Sequence, residues 1–482
     1  MSAPVRRATV PGLVALGVGS MVGAGIFALM GEAAALTGSA VWLAFGVAGV
    51  IALLTGHSFV QLGIRYPMRG GVVEYLAQAY GTGRFSGGCS ILFYIAQLIG
   101  MAMISLAFGK FAAALVGIES NLPFWERVLG TALILGLSAL ALIGTNAVAQ
   151  VQRKVVLANL ILLAGFTIAL GGHGEPARLS PAAWPGGTPV LGSLALTFFA
   201  FTGFAVISNA ADRVRDPVRD LPRAMYASIG LVLVLYVALA MAITAVVSEQ
   251  ELVSSGAKLL PVAARSVFGE VGYRVLLVSA VLSTVTCLNG GLFGVTSITF
   301  TLASRGQLPS RFEKGIGAST RGLTISALAA IILVNFLSLT TIASLGSATS
   351  LLVYSLVNFG ALRLVGGGGM KRVWIVLSVV ACLAAIAIWV VYTLNHAPRS
   401  LSIFVACLVL AFVAEGFLQR SHGRRIVPRE HWDASRSLSE QAAARLPSRW
   451  PSGCCLPAAR RRTIVIPISI PRCRSTSSVT AA

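Results

Sequence analysis

The sequence predicts an all-α membrane protein with twelve transmembrane helices. Of its 482 residues, 56% are hydrophobic and only 11% are charged, and the mean hydropathy is +0.84. This composition excludes an ordinary soluble domain. The apolar residues also fall into runs of about 20, the length that a helix needs to cross a bilayer. A transmembrane β-barrel would instead alternate apolar and polar residues over strands of about 10 residues.

The apolar runs place the spans along the chain. The least distinct boundary is the one between the ninth and tenth spans, which only a few polar residues near Ser344 separate. The twelve spans are expected at residues 11–31, 40–63, 88–117, 124–145, 155–172, 190–211, 226–248, 273–301, 323–340, 344–364, 373–393 and 400–419.

Two of these helices contain a weak spot about a dozen residues from their start. The first is Gly23-Ala24-Gly25, and the second is Phe199-Ala200-Phe201-Thr202-Gly203. Glycine allows the backbone to unwind, and irregular backbone at membrane depth survives where it lines a cavity. Breaks at matching positions of two halves are typical of a secondary transporter, and five helices per half place the second repeat upside down.

The breaks therefore define the organisation of the chain. Two five-helix repeats related by inverted topology are followed by two further helices. The expected segments are a cytoplasmic amino terminus (1–10), repeat 1 (11–172), repeat 2 (190–364), the last two helices (373–419) and a cytoplasmic, disordered tail (420–482).

Unwound helices also predict the chemistry of a ligand. An unwound first helix exposes backbone N–H groups and a positive dipole end that suit a carboxylate. An unwound sixth helix exposes carbonyl groups that suit an ammonium. An α-amino acid carries both groups on neighbouring atoms. The alternative is that Gly23 and Gly25 only allow helices to pack closely, as small residues do in membranes.

The net charge of +21 does not indicate nucleic-acid binding, because the positive residues follow the membrane topology. Up to residue 372, most Lys and Arg lie in loops on the side of the amino terminus. This bias predicts that both termini are cytoplasmic and that the loops meet anionic lipid. Arg6 and Arg7 lead directly into the first span, which predicts an uncleaved helix rather than a signal peptide.

Four ordered motifs resemble those of the amino acid–polyamine–organocation transporter superfamily. They cover the first helix, the loop after the second, the sixth helix with its inner loop, and the end of the eighth. The motifs are Gly19-Ser20-Met21-Val22-Gly23-Ala24-Gly25-Ile26-Phe27; Arg65-Tyr66-Pro67 with Gly70-Gly71 and Tyr75-Leu76; Phe198 to Phe204, running to Asp216-Pro217 and Asp220-Leu221-Pro222; and Ala303-Ser304-Arg305-Gly306-Gln307-Leu308-Pro309.

The resemblance implies the leucine-transporter fold, alternating access and a set of substrate-binding residues. Backbone N–H groups for the carboxylate would come from Ala24, Gly25 and Ile26. Backbone carbonyls for the ammonium would come from Met21, Phe199, Ala200 and Thr202. The side-chain pocket would be formed by Ala96, Gln97, Met101, Asn289 and Gly291. Phe199 would close the outer side, and Asp212 and Arg215 would pair at an inner gate.

The pocket residues contain no acid, which favours neutral amino acids over cationic ones. In proton-coupled relatives a lysine on the fifth helix occupies the position that matches Asn159, so the coupling ion is open. His57, inside the second span, is a candidate proton carrier. We expect a permease of the cell membrane, with proton coupling or exchange of a second amino acid. The alternative is a carrier of the same fold for an organic cation, polyamine or amphipathic compound, including an exporter.

No enzymatic motif, cofactor site or metal site is expected. The glycine run Gly366 to Gly369 lies in a short loop between spans and lacks the strand and helix that a phosphate-binding loop requires. An ATP-driven pump is therefore excluded for the single chain, and a channel would require a continuous polar pore.

Overall fold

The computed structural model describes residues 8–422, except for 69, 82, 119, 144–145, 181–183, 185–186, 305–306, 309–319, 366–369 and 397. The predicted tail beyond residue 422, the inner-loop motif at Arg305-Gly306 and the glycine run at 366–369 lie outside the described residues. The regular secondary structure of the described part is helical, apart from an isolated β-bridge between Ala8 and Val214.

Helices follow one another along the whole described chain. They are α1 (Val10–Val22), α2 (Met30–Thr37), α3 (Val41–Arg65), α4 (Val72–Tyr80), α5 (Arg84–Val116), α6 (Leu122–Ile143), α7 (Asn146–Gly171), α8 (Gly187–Gly192), α9 (Leu194–Phe199), α10 (Ala205–Ser208), α11 (Pro217–Val246), α12 (Glu249–Ser254), α13 (Leu259–Ser304), α14 (Thr320–Phe336), α15 (Leu339–Leu364), α16 (Met370–His396) and α17 (Pro398–His422).

Ten stretches of the described chain are long and apolar enough to cross a membrane. One of them, Val10–Arg65, contains both of the first two predicted spans, and the shorter apolar helix Gly322–Phe336 supplies the ninth. Apolar helices are therefore present at all twelve predicted positions. The eighth begins inside α13, where Gly269 adopts a φ of +60° that interrupts the helix before the span.

Some boundaries differ from the prediction. The ninth and tenth spans separate at Leu337-Ser338 and not near Ser344, because the Ser338 side chain accepts a hydrogen bond from the Thr341 N–H and so caps α15. The sixth span ends at Ser208 and not at residue 211. Short helices α4 and α12 lie in the connections, where hydropathy alone gave no signal.

The broken helices lie at the centre of the bundle. α1 packs against α11, α13 and α7, while α9 packs against α3 and α15. By contrast, α17 is largely exposed, as expected for a helix that faces lipid. The two weak spots of the sequence therefore meet in the most enclosed part of the protein.

Candidate functional site

The first break is a widened helix and not an unwound segment. Residues Gly23–Leu29 form π-helical turns between α1 and α2, so the expectation that the helix unwinds at Gly23-Ala24-Gly25 is wrong. A π-helical segment shifts the hydrogen-bond register by one residue. The carbonyl of Met21 accepts a hydrogen bond from the hydroxyl of Tyr236 at 2.8 Å. Tyr236 is fully buried on α11 and also lies beside the backbone of Ile26.

The glycines of this segment make room for neighbouring backbone. A Cβ placed on Gly25 would lie 2.6 Å from the Ala200 carbonyl oxygen and would also collide with the Tyr236 hydroxyl. A Cβ on Gly23 would collide with the Ser283 carbonyl of α13. Both glycines are therefore required where the first helix touches the sixth and eighth spans.

The second break lies where the sequence places it. α9 ends at Phe199, and a turn of 3₁₀-helix follows at Thr202–Phe204. The Thr202 hydroxyl donates to the Phe199 carbonyl at 2.7 Å, and the hydroxyl of Tyr354 on α15 donates to the Thr202 carbonyl at 2.8 Å. A Cβ on Gly203 would lie 2.6 Å from the Ser20 carbonyl, so the two breaks touch each other.

A small cavity lies beside this contact. Its volume is about 60 Å³, the space of about two water molecules. The residues that line it are Ser20, Ala96, Gln97, Gly100, Met101, Met103, Ile104, Phe199, Ala200, Thr202, Gly203, Val206, Cys287 and Gly291. These lining residues include no acid or base, so the cavity suits a solute without a charged side chain.

Most of the predicted substrate-binding residues meet at this cavity. Those that line it are Ala96, Gln97, Met101, Phe199, Ala200, Thr202 and Gly291. Met21 and Ile26 are buried outside this lining set, and Gly25 lies against Ala200. The side chain of Ala24 lies outside the described part.

Three of the carbonyls predicted to receive an ammonium already accept a hydroxyl group. The Met21 carbonyl accepts a hydrogen bond from the Tyr236 hydroxyl, and the Phe199 carbonyl accepts one from the Thr202 hydroxyl. The Thr202 carbonyl accepts one from the Tyr354 hydroxyl. A carbonyl oxygen has two lone pairs, so each can accept a second donor. Asn289, the other predicted pocket residue, donates to the side chain of Gln152 at 2.7 Å and is not part of the lining.

The two predicted gates differ in their surroundings. Phe199 is only 7% exposed, and its ring packs against Gly346 of α15. A Cβ placed on Gly346 would lie 2.6 Å from the edge of this ring. Asp212 and Arg215 are both exposed, on and beside a 3₁₀ turn at Ala211–Arg213. An ion pair at the start of α11 joins Arg219 and Asp216 at 3.7 Å.

Among the residues of the site that sequence reasoning missed, four carry a hydroxyl or a thiol group. Tyr236 and Tyr354 bind the broken helices, while Ser20 and Cys287 line the cavity. The Cys287 thiol donates to the Ser20 carbonyl at 3.0 Å. The buried Ser20 hydroxyl has no hydrogen-bond partner within the described residues. Tyrosines inside apolar spans were the available signal, because a buried phenol requires a hydrogen-bond partner.

The candidate coupling residues lie in two different environments. Asn159 on α7 is 5% exposed and bridges two hydroxyls of α13, donating to Ser283 at 2.7 Å and accepting from Ser279 at 3.0 Å. His57 lies on α3, where Nδ1 is 2.7 Å from the hydroxyl of Tyr226. Neither residue lines the cavity.

Known proteins share both the sequence pattern and the fold. The family model described as Amino acid permease matches residues 9–417. The inner membrane transport protein YbaT of Escherichia coli (strain K12) is 29% identical over 410 residues, covering 85% of this chain and 95% of its own. The serine/threonine exchanger SteT of Bacillus subtilis (strain 168) is 28% identical over 297 residues, covering 61% of this chain and 67% of its own.

A solved structure has the same overall arrangement. The crystal structure of MhsT in complex with L-phenylalanine matches with a TM-score of 0.61 at 14% identity, covering 80% of this chain and 99% of that chain. This likeness shows the fold alone. It confirms the predicted leucine-transporter-like fold with its inverted five-helix repeats.

Proposed function

This chain belongs to the amino acid permease family, and on that premise we propose that it carries a small neutral amino acid by alternating access. It is an integral membrane transporter and not an enzyme. The observation that carries the proposal is the 60 Å³ cavity at the contact of the two breaks. Such a volume is consistent with a closed state of the carrier, so the uncharged lining, and not the volume, indicates the substrate class.

The polarity of the cavity supports an amino acid substrate. The hydroxyl of Ser20 and the amide of Gln97 are the side chains suited to hydrogen-bond an amino or carboxyl group there. The second lone pair of the Thr202 carbonyl adds an acceptor for an ammonium. Met101, Ile104 and the ring of Phe199 leave apolar surface for a short side chain.

The alternative substrates have less support. An organic cation or polyamine would place additional positive charge in the cavity, and the described lining residues supply no carboxylate to pair with it. Binding such a cation would cost desolvation energy that only carbonyl dipoles and the ring of Phe199 could offset. The direction of transport, whether import or export, depends on the solute gradients across the membrane.

We further propose exchange or facilitated movement in place of lysine-dependent proton symport. Asn159 uses both its donor and its acceptor for serine hydroxyls of α13, so it holds α7 to α13 without a charge. A group that does not titrate cannot transmit a proton gradient at that position. His57 and Tyr226 form the other candidate pair for proton coupling.

The membrane orientation and the segment limits stay proposals as well. We place the amino terminus and the loop after α10 on the cytoplasmic side, where the positive residues cluster. Ala8 joins this loop by donating its N–H to the Arg213 carbonyl at 2.8 Å. With that orientation, Asp212 and Arg215 belong to the inner side and Phe199 to the outer side of the cavity.

The test is uptake by the purified full chain in liposomes. A panel of amino acids, a polyamine and a hydrophobic cation would be compared for saturable uptake and for counterflow against a preloaded solute. We expect counterflow with small neutral amino acids. Saturable uptake of the polyamine or the hydrophobic cation, with none of any amino acid, would contradict the proposed substrate class.

A second arm tests the coupling. Uptake would be measured with an imposed pH gradient of either direction and with no gradient. We expect the accumulated amount to change little. Strong accumulation driven by the gradient would refute the argument from Asn159 and would direct attention to His57.

A further inference from the structure

A second, larger cavity opens at the ends of the helices and plays no part in the proposed transport site. It has a volume of about 510 Å³ and lies between α4, α5 and α15. The residues that line it are Ala79, Tyr80, Phe85, Leu356, Phe359 and Arg363. We name this set the end groove. Three aromatic rings and one arginine give it an apolar wall with a single positive charge.

Arg363 is the charged member of the end groove, and it stacks on two aromatic rings. Its guanidinium lies 4.8 Å from the centre of the Phe359 ring and 5.4 Å from that of Tyr80. Within the described residues, no carboxylate lies within 4 Å of it and none accepts a hydrogen bond from it. Stacking on rings engages the face of a guanidinium and leaves its N–H edge available to a planar anion.

The aromatic wall is held in place by the protein itself. The Tyr80 hydroxyl donates to the Leu356 carbonyl at 2.7 Å, and its ring packs on Phe85 at 5.1 Å. Burial raises the pKa of Tyr80 to about 12, so this hydroxyl stays neutral. Phe85 is 47% exposed and Phe359 is 40% exposed. The end groove therefore presents fixed rings to its surroundings, with apolar surface that remains uncovered.

The position of the end groove matches the headgroup level of a bilayer. Arg363 lies in the last turn of α15, and Tyr80 and Phe85 lie at the facing ends of α4 and α5. Arg65, in the last turn of α3, donates to the carbonyl of Leu364 and adds positive charge nearby. On the orientation proposed above, this is the cytoplasmic leaflet, which holds anionic lipid.

We propose that the end groove binds an anionic phospholipid, with the phosphate on Arg363 and an acyl chain along Phe85 and Phe359. A guanidinium can bind phosphate through two parallel N–H···O bonds, which supplies specificity for the headgroup. The exposed rings supply an apolar surface for the acyl chain of the lipid. A soluble phosphate has no acyl chain and would leave this surface uncovered. The inference goes beyond the transported substrate, and its test does not require transport.

The test measures binding of fluorescent phosphatidylglycerol to the purified full chain in detergent micelles. The key variant is Arg363→Gln, and Arg372→Gln is the matched control because Arg372 is an exposed arginine in the first turn of α16 that does not line the groove. Because the variant loses charge-assisted hydrogen bonds to the phosphate, we expect the affinity to fall by about 10-fold or more in Arg363→Gln. The control is expected to retain the affinity of the parent protein.

Two further arms identify the ligand. Arg363→Lys keeps the charge and loses the two-point contact, so it is expected to bind with intermediate affinity. Unlabelled phosphatidylglycerol is expected to displace the probe, whereas phosphatidylcholine and glycerol phosphate at the same concentration are not. Equal affinity in Arg363→Gln and Arg372→Gln, or displacement by glycerol phosphate or phosphatidylcholine, would overturn the proposal. Thermal melting of each variant verifies that it is folded.

Discussion

Replacement of Gly25 by alanine tests whether the contact of the two broken helices is essential for transport. The added Cβ would lie 2.6 Å from the Ala200 carbonyl oxygen, where ordinary van der Waals contact begins at 3.4 Å. The overlap is thus about 0.8 Å with backbone, and the Tyr236 hydroxyl would lie closer still. Because Ala200 is fixed by the turn after α9, the strain requires a shift of one helix against the other.

The size of the effect follows from these overlaps. Insertion of one carbon into a packed interior costs typically about 1–3 kcal/mol. If transport must pass through the closed state and the strain raises the barrier by the same energy, the rate of transport is expected to fall by roughly 5- to 150-fold. The double variant Gly25→Ala/Tyr236→Phe removes the nearest of the colliding atoms, the Tyr236 hydroxyl, so its loss is expected to be smaller than the product of the single losses.

The assay combines counterflow in liposomes with thermal melting of the purified protein. Gly230→Ala is the matched control, because Gly230 lies inside α11 and a Cβ there meets nothing within 4 Å. It is expected to transport like the parent protein. Parent-like transport and melting in Gly25→Ala, or the same loss in Gly230→Ala, would refute the argument.

Three other substitutions test the remaining parts of the site. Tyr354→Phe removes the donor of the buried Thr202 carbonyl, which costs about 1–3 kcal/mol; we expect a lower melting temperature and slower uptake, and unchanged values would contradict the role. Gly291→Val places carbon 3.3 Å from Met101 or nearer, so competition assays are expected to show loss of the larger substrates before the smallest. Asn159→Asp replaces an amide donor with a group that ionises, and an unpaired buried charge is unfavourable. Its uptake is expected to fall as pH rises, while that of the parent protein stays level; a level profile in the variant would count against the proposed role of Asn159.

Much of the fold could be predicted because a bilayer restricts the backbone so strongly. Every span must satisfy its own hydrogen bonds as a helix, so the apolar runs alone located the twelve spans. Boundaries that depend on a helix cap, such as Ser338, were harder to predict from the sequence, because several polar residues near the end of a span could serve as the cap.

The site was predicted in part. Phe199 and Thr202 were located by the break, and Gln97, Met101 and Gly291 by resemblance, and all of them line the cavity. The form of the first break was not predictable, because two glycines permit both an unwound and a π-helical backbone.

The sequence by itself determined the class of the protein, its spans, the two breaks and the absence of charge at the predicted pocket. Composition and local backbone freedom suffice for these properties, since each depends on residues that are near one another in the chain. Only the tertiary structure decided that Tyr236 binds the Met21 carbonyl and that Tyr354 binds Thr202, across 215 and 152 residues. Such contacts depend on how separate helices pack, and periodicity along one helix carries no information about the hydroxyl that another helix will supply.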